Sequence, residues 1–457
     1  MDPMHIATLA SILGDDTRVM TQPLVVEQLS RDFYWYSPIL RKQLDGKVGE
    51  VVVQPLNAQE IQNVLRYCYA QNLPVTIRGA GTGNYGQAVP LQGGVVLDLM
   101  RMDEIETILP DGIAVCEPGV RLGNLENEAR KRDWELRCYP STVVKASVGG
   151  FLGGGSGGIG SVANGNLRDF DTVRALEVVT MEAEPRLLFH EGEAVHEILH
   201  AWGTNGVITR IWLALAPAVN WSQCVVAFDT FDVAFDFSER IATGADWTKR
   251  LVSTFEWPIP SFFTPVKQYA PERKSLIFFM ISSDQLAALK STAREANGEV
   301  TYSGAYLGWR TRPLLSDYTW NHTTLWAMKA DEAYTYIQCG FDPNRVRDQF
   351  RQLKERFGNE ILFHIEFMKN GAGRVIPGSI PVVYFVSEAR LNELIDFCRQ
   401  IGVFVANPHV NNVEGGGRYR PDNIQLLAKQ RYDPKGLLNP GKMATFHVEA
   451  ATAGAKK

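Results

Sequence analysis

Two glycine-rich stretches are the residues of this chain whose types and spacing most clearly suggest chemistry. The first, Arg78-Gly-Ala-Gly-Thr-Gly-Asn84, lies between two strand-like runs. Residues 81–86 have the spacing G-x-G-x-x-G, but Pro90 and β-branched residues follow where a dinucleotide fingerprint requires a helix. We therefore reject a Rossmann loop. The stretch is interpreted as a strand–loop–strand whose backbone N–H groups could surround an anion, and a glycine hairpin without a ligand is the alternative.

The second stretch holds eight glycines within the twelve residues from Gly149 to Gly160. Each ordered glycine costs backbone entropy, so this density inside a domain needs a reason. We interpret it as a backbone loop that wraps tightly around a large flat ligand. A flexible loop is the alternative.

The elements that must position these stretches alternate between strands and helices. Asn57-Ala-Gln-Glu60 is a capping box, and it predicts a helix with an apolar stripe at Ile61, Val64, Leu65 and Cys68. Strand-like runs lie on either side of it, at 49–55 and 74–78. This strand–helix–strand order predicts an α/β or α+β beginning.

Three parts of the chain differ in composition. Residues 1–217 contain both glycine stretches and end at Pro217 after an apolar strand-like run. Residues 218–404 contain less glycine and more tryptophan, and alternating runs predict a sheet with helices on one face. Residues 405–457 are again rich in Gly, Asn and Pro. We predict a first domain at 1–217, a second at 218–404, and a C-terminal segment, 405–457, that returns to the first.

Length and charge narrow the function classes. The chain has 457 residues and a formal net charge of −5, which argues against a basic nucleic-acid binder. The six cysteines are widely separated, which predicts reduced thiols and a cytoplasmic protein. No apolar run reaches the ~18 residues of a membrane span, and no signal peptide is recognised.

Four segments together resemble the vanillyl-alcohol oxidase/p-cresol methylhydroxylase (PCMH-type) superfamily, nearest the glycolate oxidase/D-lactate dehydrogenase-like branch. They are residues 74–99, 138–161, 202–217 and 432–443, ending in YDPKGLLNPGKM. The resemblance covers residues 49–217 and about 405–446. It implies an α+β, two-domain PCMH-type FAD-binding fold, in which a cap of antiparallel sheet plus helices covers the flavin.

The resemblance also implies which residues bind FAD. The first stretch would surround the pyrophosphate, and the second would line the isoalloxazine and ribityl chain. The third segment would contact the adenine side, and the C-terminal segment would close over the flavin. The predicted cofactor residues are Arg78, Gly79, Ala80, Gly81, Thr82, Gly83, Asn84, Pro140, Ser141, Thr142, Ser147, Gly149, Gly150, Gly153, Ser156, Gly157, Gly160, Gly206, Val207, Ile208, Asn439 and Lys442.

Departures from the family pattern carry further expectations. Relatives that attach FAD covalently use a histidine where Thr82 stands or a cysteine where Val143 stands, so we predict non-covalent FAD. The paired cap histidines and the Glu-His-Gly pattern of the D-lactate dehydrogenase-like branch are not found. His196 and His200 have the i, i+4 spacing of metal ligands but no third ligand in view. We interpret them as a surface pair and predict no metal.

A flavin that oxidises an alcohol needs a base beside the substrate hydroxyl, and histidine suits this role near neutral pH. The candidates are His322, in an aromatic and amide-rich patch, His409, and His364 with Glu366. His364 and Glu366 alternate on one predicted strand and so face the same side. Arg310 is the candidate for binding a substrate carboxylate. A purely structural role is the alternative for each residue.

We predict an FAD-dependent oxidoreductase that transfers hydride from an alcohol or 2-hydroxy acid to the flavin. Oxygen or another electron carrier would reoxidise it. The alternatives are oxidation of a phenolic or benzylic alcohol and a non-catalytic FAD-binding protein. The sequence does not determine the oligomeric state, and a homo-oligomer is one of the possibilities.

Overall fold

A small sheet holds the first glycine stretch. The structure is a computed structural model that describes residues 1–169, 171–416 and 423–447. The sheet has the order β1-β2-β4-β3, and both β2 and β3 run parallel to β4. The first glycine stretch begins where β3 ends. The strands are β1 Val19–Met20, β2 Val51–Val53, β3 Val75–Arg78 and β4 Val95–Asp98.

A second, antiparallel sheet follows along the chain, with the order β5-β6-β10-β8-β9. The long strand β10 lies at its centre and also pairs through its last three residues with β7. The strands are β5 Ile105–Ile108, β6 Ile113–Cys116, β7 Trp134–Leu136, β8 Val173–Val179, β9 Leu187–Glu191 and β10 Val207–Pro217.

The remaining strands form an eight-stranded antiparallel sheet and a three-stranded one. The larger sheet has the order β14-β11-β13-β12-β18-β19-β16-β21, and the smaller has the order β15-β20-β17. The strands are β11 Trp221–Phe228, β12 Lys249–Phe255, β13 Ser275–Ser282, β14 Glu299–Ala305, β15 Tyr334–Tyr336, β16 Gln338–Gly340, β17 Ile361–Leu362, β18 His364–Lys369, β19 Val375–Ser379, β20 Val382–Tyr384 and β21 Phe404–Ala406.

Fifteen α-helices are described alongside these sheets. They are α1 Pro3–Leu13, α2 Pro23–Leu29, α3 Pro38–Gln43, α4 Ala58–Gln71, α5 Leu122–Arg130, α6 Val148–Gly154, α7 Ser161–Asn164, α8 Phe231–Thr243, α9 Ile259–Phe262, α10 Leu286–Glu295, α11 Asn321–Ala330, α12 Val346–Phe357, α13 Glu388–Gln400, α14 Val413–Gly416 and α15 Asn423–Tyr432. Helices α8, α10, α12 and α13 pack on one face of the eight-stranded sheet. The other face, for which no helix was predicted, carries α9 and α11.

Helix α4 forms as its sequence predicts. The Asn57 side chain accepts a hydrogen bond from the Glu60 N–H at 2.9 Å, and the Glu60 carboxylate accepts one from the Leu56 N–H at 2.8 Å. The four residues of its predicted apolar stripe are fully buried. The stripe packs on the parallel sheet and on α1.

Buried polar groups fasten the eight-stranded sheet to the second sheet. Arg250 of β12 is 1% exposed and donates to Glu126 of α5 at 3.0 Å and to the Leu136 carbonyl of β7 at 3.1 Å. Glu135 lies 3.4 Å from the same guanidinium. The charges compensate one another in a place that water does not reach.

The C-terminal segment returns to the parallel sheet. Leu438 forms a bridge with Val75 of β3, and the Asn439 N–H donates to the Val75 carbonyl at 2.7 Å. All six cysteines are buried and form no disulfide. In the described part of the chain, no helix combines the length and apolar character that crossing a membrane requires.

Candidate active site

One large cavity of about 660 Å³ lies between the glycine stretches and the eight-stranded sheet. Its volume falls within the range of roughly 300–1,000 Å³ that is usual for cofactor and ligand sites. Both glycine stretches and the turn before β10 form one wall. Strands β16, β18, β19 and β21 and the start of α11 form the other.

The first glycine stretch leaves β3 and turns over a buried guanidinium. Gly81 has φ +65°, a conformation that glycine adopts without cost, and a Cβ atom there would collide with the Arg78 side chain. Arg78 donates from Nη1 to the Arg31 carbonyl at 2.5 Å. Arg78 therefore supports the loop from beneath and does not line the cavity.

The sequence predicts that the second stretch is a loop, but part of it is helical in the structure. Residues 148–154 form helix α6, whose N-cap is Ser147, and the Gly150 N–H donates to its Oγ at 3.3 Å. The same Oγ accepts from the Ala80 N–H of the first stretch at 3.2 Å. A Cβ at Gly79 would collide with this Oγ, so the contact requires glycine at position 79.

The turn before β10 completes this wall in an unusual backbone conformation. His200 and Trp202 both have positive φ, at 57° and 53°, which non-glycine residues rarely adopt. Asn439, itself at φ 41°, donates to the Trp202 carbonyl at 2.7 Å and to the Gln87 carbonyl at 2.8 Å. His200 lines the cavity, so its interpretation as part of a surface pair was wrong.

Two buried charged side chains, Lys442 and Asp32, lie beside the first stretch and influence each other electrostatically. The Lys442 ammonium is fully buried and donates to the Gly86 carbonyl at 2.6 Å, and burial lowers its pKa to about 8. Asp32 lines the cavity and accepts from the Ala88 and Tyr34 N–H groups at 3.2 and 3.0 Å. Burial raises the pKa of Asp32 to about 6, against the opposing influence of Lys442.

The opposite wall presents a carboxylate held by several donors. Glu366 of β18 is 1% exposed and lines the cavity. Its Oε1 accepts from His364 Nε2 at 2.8 Å, from Ser253 Oγ at 2.7 Å and from the Trp320 backbone N–H at 2.9 Å. The predicted pair thus shares one side of its strand. Glu366 faces the cavity, and His364 stands behind it.

Of the other predicted catalytic residues, one lines the cavity and two do not. His322 lines the cavity, and burial lowers its pKa to about 4. His409 does not line it: Nε2 donates to the Tyr336 carbonyl and Nδ1 accepts from Ser37 Oγ, both at 2.8 Å. Arg310 is exposed and lies outside the lining, whereas Arg168 lies within it.

Most of the predicted cofactor residues line the cavity. Five do not: Arg78, Gly160, Val207, Asn439 and Lys442. Arg78, Asn439 and Lys442 instead support the lining from behind, as their hydrogen bonds show. Val207 packs in the core of the parallel sheet, and the Gly160 N–H bonds to the Arg250 carbonyl.

Sequence reasoning missed Asp32 and Arg168. Asp32 lies far along the chain from every recognised motif, in Asp-Phe-Tyr-Trp-Tyr, which carried no signal of a site. Arg168 follows the second stretch by a few residues, and that proximity was the only available signal. Within the described ranges, no three His, Cys, Asp or Glu side chains gather as a metal site would require.

The geometry agrees with comparisons to known proteins. A family model described as an FAD binding domain matches residues 49–186, which include both glycine stretches. The chain carries an FAD binding domain. This match confirms the predicted FAD cofactor, and the relatives described next confirm the predicted class of FAD-dependent oxidoreductase.

Relatives extend the match beyond that domain. A D-lactate dehydrogenase of Archaeoglobus fulgidus is 29% identical over 427 residues, which are 86% of this chain and 91% of that protein. The mitochondrial D-2-hydroxyglutarate dehydrogenase of Rattus norvegicus is 31% identical over 37% of this chain and 33% of its own. The glycolate oxidase subunit GlcD of Escherichia coli is 28% identical over 40% of this chain and 38% of its own.

Solved structures show the same fold. An alkyldihydroxyacetonephosphate synthase superposes with a TM-score of 0.73 over 97% of this chain and 85% of its own, at 16% identity. The superposition confirms the predicted fold class, which combines helices with antiparallel sheets.

The residues present fit FAD. The flat isoalloxazine ring of FAD and the chain attached to it need a backbone wall with few side chains. The two glycine stretches provide such a wall. At Gly153, in that wall, a Cβ would meet no atom within 4 Å and would extend into open space. In the same wall, Trp202 Nε1 is buried without a hydrogen-bond partner among the residues that the structure describes.

Proposed function

We propose that this FAD-binding oxidoreductase oxidises a 2-hydroxy acid to the 2-oxo acid. The observation that carries the proposal is the Glu366 carboxylate, fixed by three donors in the cavity wall that faces the glycine stretches. Relatives named for D-lactate, D-2-hydroxyglutarate and glycolate support this substrate class.

Glu366 is the proposed base. The substrate hydroxyl donates to this carboxylate, which takes the proton as the C–H bond breaks. Bound FAD supplies the acceptor for the hydride. His364 and Ser253 hold the carboxylate in one orientation. His322 also lines the cavity, and we assign it a role in shaping the pocket.

Arg168 is the proposed partner of the substrate carboxylate, in place of Arg310. Arg168 lies in the lining, and a guanidinium can bind a carboxylate through two parallel hydrogen bonds. Arg310 lies on an exposed turn that does not reach the cavity. Residues 218–404 would then act as the cap that shapes the substrate end.

We also infer that FAD is held without a covalent bond. Thr82 lines the cavity where covalent relatives carry a histidine, and Val143 is buried in the second sheet's core. Precipitation of the holoprotein in acid should leave the yellow colour in the supernatant. Colour in the washed pellet would contradict this inference.

Anaerobic bleaching of the flavin band tests the function. D- and L-2-hydroxy acids, sugar acids and phenolic alcohols are offered to the wild type and to Glu366→Gln, Arg168→Met and Arg310→Met. A 2-hydroxy acid should bleach the wild type, and Glu366→Gln should slow bleaching about 10²- to 10⁴-fold. Arg168→Met should raise the substrate concentration required, while Arg310→Met, the matched control, should behave as the wild type.

Other outcomes decide against the proposal in distinct ways. Bleaching by a phenolic alcohol alone would favour the second candidate, for which the indole of Trp320 in the cavity wall is the supporting observation. No bleaching by any compound would contradict the proposed oxidation. Air is admitted at the end, because fast reoxidation identifies oxygen as the acceptor.

A further inference from the structure

The cavity face of the eight-stranded sheet carries a row of residues that begins at the proposed base. Glu366 of β18 pairs with Gly378 of β19, which in turn pairs with Gly340 of β16. Gly340 pairs with Phe404 of the edge strand β21. Residues that pair directly across neighbouring strands share one face of a sheet, and all four line the cavity. The two positions next to Glu366 in this row therefore present no side chain to the cavity.

These two glycines leave a notch in the sheet, which we name the Gly378–Gly340 notch. Its ends are Glu366 and Phe404, whose Cα atoms are three strand spacings apart, or about 14 Å. Within 4 Å, a Cβ atom at Gly340 would meet only Phe404, at 3.7 Å, which is an ordinary contact. A Cβ atom at Gly378 would collide with the methyl group of Met368, so this flexible side chain lies over that end of the notch.

The side chains beside the notch on the same face are mostly apolar. Ile380 lies two residues along the strand on one side, and Met368 and Ile376 lie two residues along on the other. Gln338 of β16 is the exception, and its amide carries no charge. Among the described residues that line the cavity, Arg168 is the only arginine or lysine, and it is already assigned to the substrate carboxylate. A charged group in the notch would be buried without a partner, whereas an apolar group would gain from leaving water.

We propose that the Gly378–Gly340 notch binds the substituent on carbon 2 of the substrate, and that this substituent is uncharged, apolar and larger than a methyl group. The inference rests on the proposed function, because Glu366 would hold the substrate hydroxyl at one end of the notch. The glycine stretches that would hold FAD form the opposite wall, which places the substrate between them and the sheet. 2-Hydroxy-4-methylpentanoate and 3-phenyllactate have the required chemistry, whereas the methyl group of lactate would leave the notch unfilled.

The test fills the notch and leaves the strands as they are. Gly340→Val places a branched side chain there, and valine suits a strand position whose φ is not positive. Ala305→Val, exposed on the opposite edge strand β14 and outside the cavity lining, is the matched control.

Two measurements are made on each holoprotein. Anaerobic flavin reduction is followed with the separate enantiomers of lactate, 2-hydroxy-4-methylpentanoate, 3-phenyllactate and 2-hydroxyglutarate. Its efficiency is the limiting rate divided by the half-saturating concentration. Titration with pyruvate and with 4-methyl-2-oxopentanoate, followed through the flavin spectrum, measures binding without turnover.

The wild type should be reduced about tenfold more efficiently by the two larger apolar acids than by lactate or 2-hydroxyglutarate. Gly340→Val should keep its flavin content, and its efficiency should fall about 100-fold more with the larger apolar acids than with lactate. Its affinity for 4-methyl-2-oxopentanoate should fall more than its affinity for pyruvate. Ala305→Val should match the wild type in every measurement. A purely structural effect of Gly340→Val would not separate large acids from small ones.

Other results would overturn the inference and leave the proposed oxidation standing. These are a wild type that prefers lactate or 2-hydroxyglutarate, and a Gly340→Val protein that loses efficiency equally with every acid. Loss of FAD from Gly340→Val would also overturn it, because the notch would then accommodate the cofactor. A wild type that no 2-hydroxy acid reduces would overturn both. If Gly340→Val does not fold, Gly340→Ala replaces it, with an expected difference between large and small acids of about tenfold.

Discussion

At the scale of single residues, chemistry depends on which atoms the backbone allows to meet. Glu366 faces the cavity because side chains alternate along β18, and His364 lies two residues before it on the same face. The two glycine stretches touch at Gly79 and Gly150, where the absence of Cβ atoms lets the backbones approach. Sites of this kind tolerate few substitutions, since an added side chain at Gly79 or Gly150 would collide with Ser147 Oγ.

Gly150→Val tests that contact. A Cβ there would lie 2.8 Å from Ser147 Oγ and would press toward the first glycine stretch, so the cavity wall could not keep its shape. We expect a protein without bound FAD, as measured by its visible absorption. Ala288→Val, at an exposed position of α10, should remain yellow. A yellow Gly150→Val protein with wild-type flavin content would contradict the placement of this residue.

At the scale of elements, the capping residues of a helix and the packing of its side chains decide its formation more than the helix propensity of its residues. Helix α4 begins at a capping box and was foreseen in detail. Helix α6 forms in a glycine-rich run that lacks helix propensity, because Ser147 caps its start and Val148, Phe151 and Leu152 are buried. Packing therefore outweighs the entropy cost of its glycines.

Asn57→Ala measures the contribution of a single cap. The substitution removes the acceptor of the Glu60 N–H, which should lower the free energy of unfolding by about 1 kcal/mol. Urea denaturation of the holoprotein checks this value. Gln59→Ala, exposed on the same helix, should change it by less than about 0.5 kcal/mol. Equal effects of the two substitutions would argue against the cap.

At the scale of the whole molecule, buried polar groups connect distant parts of the chain. Arg250 joins the eight-stranded sheet to α5 and β7. His409 joins three segments, because it contacts Ser37 near the N-terminus, Tyr336 in the three-stranded sheet, and its own C-terminal surroundings. A neutral imidazole satisfies both of its contacts, one as donor and one as acceptor.

The buried imidazole of His409 makes stability depend on pH. Burial lowers its pKa to about 4 from its ordinary value of 6.5. The unfolded chain therefore takes up a proton that the folded state refuses, and stability is lost as pH falls from about 6.5 toward 4. At pH 5 the loss should be about 2 kcal/mol relative to pH 7.5.

His409→Gln removes this contribution. The difference in unfolding free energy between pH 7.5 and pH 5 should shrink in the variant, and urea titrations at both values measure it. His447→Gln, at an exposed position, should retain the wild-type difference. An unchanged pH dependence in His409→Gln would show that His409 is not held neutral by burial.

The sequence by itself determined the cofactor, the class of fold and most of the cofactor wall. Glycine density, capping residues and strand periodicity are local properties, and they act on the backbone that carries them. Gly79 to Asn84 line the cavity, and so do most residues from Ser147 to Gly157.

Only the tertiary structure decided which side chains reach the cavity. The packing of the eight-stranded sheet over the FAD binding domain decides which side chains line the cavity. Arg168 and Asp32 line it, whereas Arg310, His364 and His409 do not. The residues that meet across this cavity are distant in the chain, and no local pattern encodes their distance.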